Sequence, residues 1–414
     1  MRPPGRPRYP RSVSDFDRAE TARRAGVDEA YVGRLVELGI LKPGSGDRFS
    51  SGDIRRARLV EAIENSGVPL EGLAEVLSRG EGTLAFMDDP TYERFSALSS
   101  ETFAELSERT GIPMELLVVM RESVGSAQPE PHDLVREDEM RIVPSLELQV
   151  AESFNRIAIE RMLRVTGESM RRIAEQEVEW WTSQVQAPLL ARGVKLGDLG
   201  VATLDIASRM QVPLTEALDA IMRAQEAHAW QANIIESIEQ VVAEAGLYSR
   251  VARPPAMCFL DITGYTRLTQ ERGDAAAAEL ADDLARLVKR ASVQRGGRAI
   301  KWLGDGVMFH FPDPGLGVVA ALDMVEGVVD AGLPPAHVGL HAGPVLLQEG
   351  DYYGQTVNIA SRIAEYARPG EVLVSDTVVA AAEGAGAAFT EIGPVELKGV
   401  GGPLRLHSAH RAPA

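Results

Sequence analysis

The chain has 414 residues, with 43 Lys and Arg against 60 Asp and Glu, giving a formal net charge of −17. Acidity on that scale argues against broad nonspecific affinity for nucleic acid or anionic membrane, and the length predicts two or three domains. The single cysteine, Cys258, excludes an intrachain disulfide and a Cys-rich zinc site. Residues 1–11 are rich in Arg and Pro but lack the apolar centre of a secretory leader. No apolar run reaches the roughly 18–20 residues that span a bilayer, so no membrane partner and a cytoplasmic location are the expectation.

Arg2, Arg6, Arg8 and Arg11 among prolines predict a disordered basic arm over residues 1–13. Residues 14–125 read as a helical regulatory domain. Its start, Glu20 to Asp28 and then Tyr31 to Leu41, has the order helix, glycine turn, helix. With Asp53–Leu59 and Gly67–Leu77 following, Asp15 to Gly80 resembles the winged helix-turn-helix of MerR-type regulators. The second helix departs from that pattern, with Val36-Glu37-Leu38 where an aromatic-rich tract belongs. It sets Asp28, Glu29 and Glu37 against the one Arg34, a poor surface for a phosphate backbone. A regulatory or dimerisation module is therefore favoured over DNA binding through residues 15–80. The Pro-rich, charged break after Val124 predicts a linker over 126–144. Residues 145–253 read as a helical regulatory, dimerisation and transmission segment, with one helix near Leu146 to Trp181 and a second starting at Pro213 and ending at Gly246.

From Ala256 the pattern changes. An apolar run ends in Asp261-Ile262-Thr263-Gly264-Tyr265-Thr266, and an aspartate closing a buried strand needs a cation or hydrogen bonds to compensate it. A helix over 273–290 precedes a hairpin, Arg298 to Phe311, with Gly304-Asp305-Gly306 at its tip. A helix over 315–331 and a strand over 337–343 complete a ferredoxin-like β-α-β-β-α-β order. That topology makes the first strand and the hairpin neighbours, so Asp261 and Asp305 can converge, and paired carboxylates suit Mg²⁺ or Mn²⁺. Asn358 and Arg362, four residues apart, share a helical face and suit a ribose oxygen and a phosphoryl group gaining charge.

These three motifs, with Gly370–Ser375 and Glu396-Leu397-Lys398-Gly399 behind them, resemble the class III nucleotidyl cyclase catalytic domain over residues 254–411. The fold class implied is α+β, a C-terminal ferredoxin-like cyclase domain preceded by an all-α regulatory region. The resemblance implies two metal ions, Mg²⁺ or Mn²⁺, on Asp261, Asp305 and the Ile262 carbonyl, and phosphate contacts from the backbone of Gly264, Tyr265 and Thr266. It implies that Asn358 orients the ribose, Arg362 stabilises the α-phosphate and Lys398 meets the terminal phosphates. Lys301 and Asp351 match the adenine-selecting pair, a donor for N1 and an acceptor for the exocyclic amine. The expected function is adenylate cyclase, turning ATP into cyclic AMP and pyrophosphate in a head-to-tail homodimer with shared sites. The alternative is a DNA-binding or signalling regulator that uses the cyclase domain as a nucleotide sensor. A diguanylate cyclase is excluded by Gly304-Asp305-Gly306-Val307-Met308, which lacks the Gly-Gly-Asp/Glu-Glu-Phe signature.

Overall fold

A computed structural model describes residues 16–92, 95–247, 254–264, 274–303, 306–348, 350–382 and 384–412. The chain divides into two compact units, Met1–Ile234 and Ile235–Ala414.

The first unit opens with α1 (Arg18–Ala25) and α2 (Glu29–Glu37), each capped by an aspartate, Asp17 and Asp28, whose side chain accepts from a backbone N–H of the first turn. A glycine turn joins them, as the sequence suggested. Helix α3 (Ser51–Asn65) starts at a reciprocal Ser50–Asp53 capping box, and α4 (Leu70–Ser78) follows. Val32, Leu35, Leu41, Phe49, Ile54 and Val60 form the core of this subset.

Next come β1 (Leu98–Thr102), α5 (Phe103–Thr110), α6 (Met114–Ser123) and β2 (Leu134–Arg136). Here the expectation of a linker over 126–144 fails. β2 pairs antiparallel with β1, Val135 is fully buried, and the buried Glu139 carboxylate takes two hydrogen bonds of 2.9 Å from Arg121. The Pro-rich stretch supplies only the turn before this strand, and the alternation in three residues is too short to register as a strand in sequence.

Helices α7 (Val143–Ala151), α8 (Arg156–Trp181), α9 (Ala187–Ala191), α10 (Leu199–Ala202) and α11 (Leu204–Glu244) complete the helical region. The single helix expected over 146–181 is broken between α7 and α8, where Ser153 takes a positive φ of 57° and the Asn155 side chain caps α8. The long helix begins nine residues before Pro213, which lies inside it. Proline has no N–H to give to the carbonyl four residues back, a cost of about 3 kcal/mol that forty other helical residues absorb.

The second unit is a seven-stranded sheet. Its elements are β3 (Ala256–Ile262), α12 (Asp274–Gln294), β4 (Arg298–Leu303), β5 (Gly306–Phe311), α13 (Pro314–Asp330) and β6 (Ala336–Ala342), then β7 (Leu346–Gln348), β8 (Asp351–Tyr353), α14 (Gln355–Tyr366), β9 (Val372–Ser375), α15 (Asp376–Ala381), β10 (Ala387–Val395) and β11 (Leu404–Arg411). The sheet order is β10-β11-β9-β6-β3-β5-β4, with β7 and β8 a separate ribbon. Within it, β6-β3-β5-β4 is antiparallel throughout and reproduces the ferredoxin-like order predicted from sequence, while β9 extends it in parallel to β6.

Strand alternation gives the sheet two unlike faces. Ala256, Cys258, Leu260, Val307, Phe309 and Phe311 join Leu284 and Val288 of α12 and Val318, Met324 and Val328 of α13 in the main core. Burial pushes the Cys258 thiol up, so it stays protonated and acts as a small apolar residue. Met257 and Met308, on the opposite face, pack with Tyr352 and Ala360. Helix α14 lies so close to β6 that a Cβ at Gly339 would stand 2.1 Å from the Ala364 nitrogen. By the same alternation the candidate residue Asp261 falls on this second face, and Lys301, opposite Met308, falls there too.

Candidate active site

Asp261 is the penultimate residue of β3, paired with Gly306 on one side and His337 on the other. Its side chain is 46% exposed and lies 3.8 Å from His337 Nε2, and its Oδ1 accepts the Ile262 N–H at 3.1 Å. Ile262 is buried and anchors the strand end. The exposed Gly264 follows with a φ of 81°, a left-handed conformation that a side chain would strain. Asp305, Tyr265 and Thr266 lie outside the described residues. The register nonetheless sets Gly306, next in sequence after Asp305, directly opposite Asp261. A half-exposed carboxylate at a strand end is a hard oxygen donor of the kind that suits a divalent cation such as Mg²⁺ or Mn²⁺.

Lys301 and Asp351, fifty residues apart, meet in an ion pair between Lys301 Nζ and Asp351 Oδ2, with 41% and 23% of their side chains exposed. A β-bulge makes this possible. Arg298 stands opposite His310 and Ala299 opposite Phe309, but Lys301, not Ile300, stands opposite Met308. In a regular strand, residues three apart point to opposite faces; one extra residue restores the phase, so Arg298 and Lys301 share a face. Asp351 opens β8, and its other oxygen accepts the Tyr352 N–H at 2.8 Å.

Asn358 and Arg362 stand on α14 and line one cavity of about 500 Å³ together with Gly354, Ser361, Lys398 and Gly399. Lys398, weakly marked in sequence, is thus brought to the same place as the two residues the helix pattern had singled out. Arg362 is paired with Glu365 one turn along, and this raises the guanidinium pKa further. Both partners are substantially exposed, and exposed ion pairs contribute little to stability. Arg362 can leave Glu365 for a phosphate at little cost.

Three neighbours escaped the sequence reading. His337 faces Asp261 through strand register, and its Nδ1 is 3.3 Å from Thr263 Oγ1. Glu365 was visible as an i,i+3 partner of Arg362. Tyr352, hidden in the Asp-Tyr-Tyr run, receives a hydrogen bond from Arg298 at 3.1 Å and stacks on His310 at 4.5 Å.

Residues 247–409 match the adenylate and guanylate cyclase catalytic domain, and the second unit is accordingly a class III cyclase catalytic domain. Along most of its length the chain is similar to the pH-sensitive adenylate cyclase MT1302 of Mycobacterium tuberculosis, 27% identical over 382 residues, 88% of this chain and 90% of that protein. An adenylate cyclase of Streptomyces coelicolor is 28% identical over 221 residues, and the match spans 53% of this chain and about half (55%) of that relative. The solved structure of the adenylyl cyclase CyaB from P. aeruginosa aligns with 38% of this chain and 94% of its own, at 20% identity and a TM-score of 0.35.

Proposed function

We propose that the chain is an adenylate cyclase, converting ATP to 3′,5′-cyclic AMP and pyrophosphate, with the region before the catalytic domain regulating it. The observation that carries the substrate is the Lys301–Asp351 pair. The pair is part-buried, and a partly buried ion pair must offset the desolvation of both charges, so a folding role is a weak reason for joining β4 to β8 there. As a preset donor and acceptor the pair is complementary to adenine: the lysine donates to N1 and the carboxylate accepts from the exocyclic amine. Guanine presents the reverse pattern.

Asn358 orients the ribose, and Lys398 holds the terminal phosphates in the same cavity. The 3′-hydroxyl oxygen, its proton passing to water, attacks the α-phosphorus in line; the bond to the bridging oxygen breaks, and pyrophosphate leaves with the electron pair. Arg362, swung from Glu365, meets the charge that gathers on the α-phosphate oxygens. Mg²⁺ or Mn²⁺ ions, two per site, held by Asp261, Asp305 and the Ile262 carbonyl, would neutralise the triphosphate and favour ionisation of the attacking hydroxyl. The resemblance assigns the aspartates to one protomer and the purine, ribose and arginine groups to its partner, so the working unit is a head-to-tail homodimer with two sites.

The first unit supports regulation better than DNA reading. Arg34, the one basic residue of α2, is already bound to Glu64 and Glu71. Whether its input is pH, as the name of the mycobacterial relative states for that protein, is decided by assaying the full chain across pH.

The test is the full-length protein with ATP and Mn²⁺ or Mg²⁺, assayed for cyclic AMP. Asp261→Ala and Arg362→Ala are each expected to lower turnover by at least 10²–10³-fold, the scale of one lost transition-state contact. Mixing the two variants is expected to restore one working site per heterodimer. Full activity in either single variant would sink its assigned role, and a heterodimer without activity would sink the shared site.

A further inference from the structure

The recognition pair needs more than two charges; it needs β8 held at a fixed height over the sheet. Tyr352 follows Asp351 directly and is 8% exposed. Its hydroxyl accepts a hydrogen bond of 3.1 Å from Arg298, and its ring lies flat on His310, with centroids 4.5 Å apart and planes at 11°. Arg298 and His310 are themselves cross-strand partners on β4 and β5. One tyrosine therefore pins the short ribbon to both strands of the hairpin. Burial and the nearby Arg298 push His310 down to about 4, so its ring is neutral at physiological pH and stacks without adding charge to the site.

The bulge ties this arrangement to Lys301. Because Ile300 is the extra residue, Arg298 and Lys301 reach the same face. They act on consecutive residues of β8: Arg298 on Tyr352, Lys301 on Asp351. The Asp351 carboxylate is also fixed from behind, by the Tyr352 N–H.

We infer that Arg298, His310 and Tyr352 are positioning residues for purine selection, a brace that holds the Asp351 carboxylate at the spacing from Lys301 that adenine requires. The inference rests on the reading of Lys301 and Asp351 as the purine-selecting pair. None of the three need touch the nucleotide. Loosening the brace lets Asp351 drift, which weakens the two hydrogen bonds to adenine while leaving Arg362 and Asn358, on α14, where they are. The signature is a change in KM and base preference without a matching change in kcat.

Tyr352→Phe removes the hydroxyl and keeps the stack. It is expected to raise the KM for ATP about fivefold, the scale of one lost hydrogen bond, with kcat changed less than twofold. Tyr352→Ala removes both contacts and is expected to cut the preference for ATP over GTP by about tenfold or more. Arg298→Lys, which retains one donor, is expected to recover part of what Arg298→Ala loses. Fluorescent N-methylanthraniloyl ATP and GTP, titrated onto the full-length chain, read the same selectivity as binding and do not require turnover. Variants that melt earlier but keep wild-type KM and ATP/GTP selectivity would overturn the brace and leave a structural tyrosine. Wild-type protein that binds both nucleotides equally would overturn the pair itself, and the brace with it. Selectivity lost in Lys301→Ala but intact in Tyr352→Ala would overturn the brace alone.

Discussion

The two units bury their apolar side chains in different ways. In the catalytic domain the sheet separates two clusters, and Val307, Phe309, Phe311, Val338, Leu340 and Val374 have no exposed surface. In α8 and α11 of the helical region, Ile157, Met162, Val178, Ile221, Trp230 and Ile238 stay more than 40% exposed. A sheet between layers finishes its own core within one chain, whereas a long helix can bury at most one stripe against its neighbours. The short helices of the first unit close cores of their own around Phe49 and Phe103, and it is the long helices α8 and α11 that are left with surface to spare.

The largest test of that contrast is Phe309→Ala. Phe309 is fully buried between β5 and the helices of the main core and lies 6.2 Å from the Phe311 ring. Truncation is expected to cost about 3–5 kcal/mol, read as a drop in the denaturant midpoint of the transition that reports the catalytic domain. A loss under about 1 kcal/mol would mean that the core closes around the gap, and that the sheet is less tightly packed than its burial implies.

A pH-dependent test is smaller. His341 is 8% exposed on β6, where its Nδ1 meets Ser375 Oγ at 2.7 Å and Thr377 Oγ1 at 3.4 Å, and burial pushes it down to about 4. The unfolded chain takes up this proton near 6.5. Between those values the unfolded state binds more protons than the folded one. The stabilising contribution of neutral His341 is thus complete above pH 6.5 and falls as pH drops toward 4. His341→Asn keeps a partner for Ser375 and does not titrate, so its thermal midpoint is expected to fall less over that window. Parallel acid profiles for the two proteins would place the acid sensitivity elsewhere.

The same contrast explains what could be read from sequence. Asp261, Asn358 and Arg362 stood out as candidates because a strand end and an i,i+4 helix face are local patterns, Lys301 and Asp351 were named only through the family resemblance, and the ferredoxin-like order followed from the sequence of elements. The structure places Lys301 with Asp351, and Asn358 and Arg362 with Lys398. What escaped was phase and register. The bulge at Ile300 has no glycine to announce it, and Tyr352 meets Arg298 only because two strands and a ribbon converge. In the helical region the misses were boundaries: Pro213 was read as a helix start, whereas it lies inside a 41-residue helix, and β2 is too short to show alternation. Local chemistry survives in sequence, while long-range register does not.

Trp230→Ala is the smallest expected effect and the sharpest on the helical side. Trp230 stands on α11 with 66% of its surface exposed. In the single chain there is little contact to lose, so truncation is expected to change unfolding free energy by no more than about 0.5 kcal/mol, as for other surface positions. Measured by chemical denaturation at several protein concentrations, a negligible change at every concentration would confirm that this face of α11 is solvent-facing. A loss of 2 kcal/mol or more that grows with protein concentration would mean the indole is covered by a second copy, because only an association has a stability that depends on concentration. A large loss independent of concentration would instead place the cover within one chain. The imbalance between the two units would then be a property of the isolated helix, not of the folded protein.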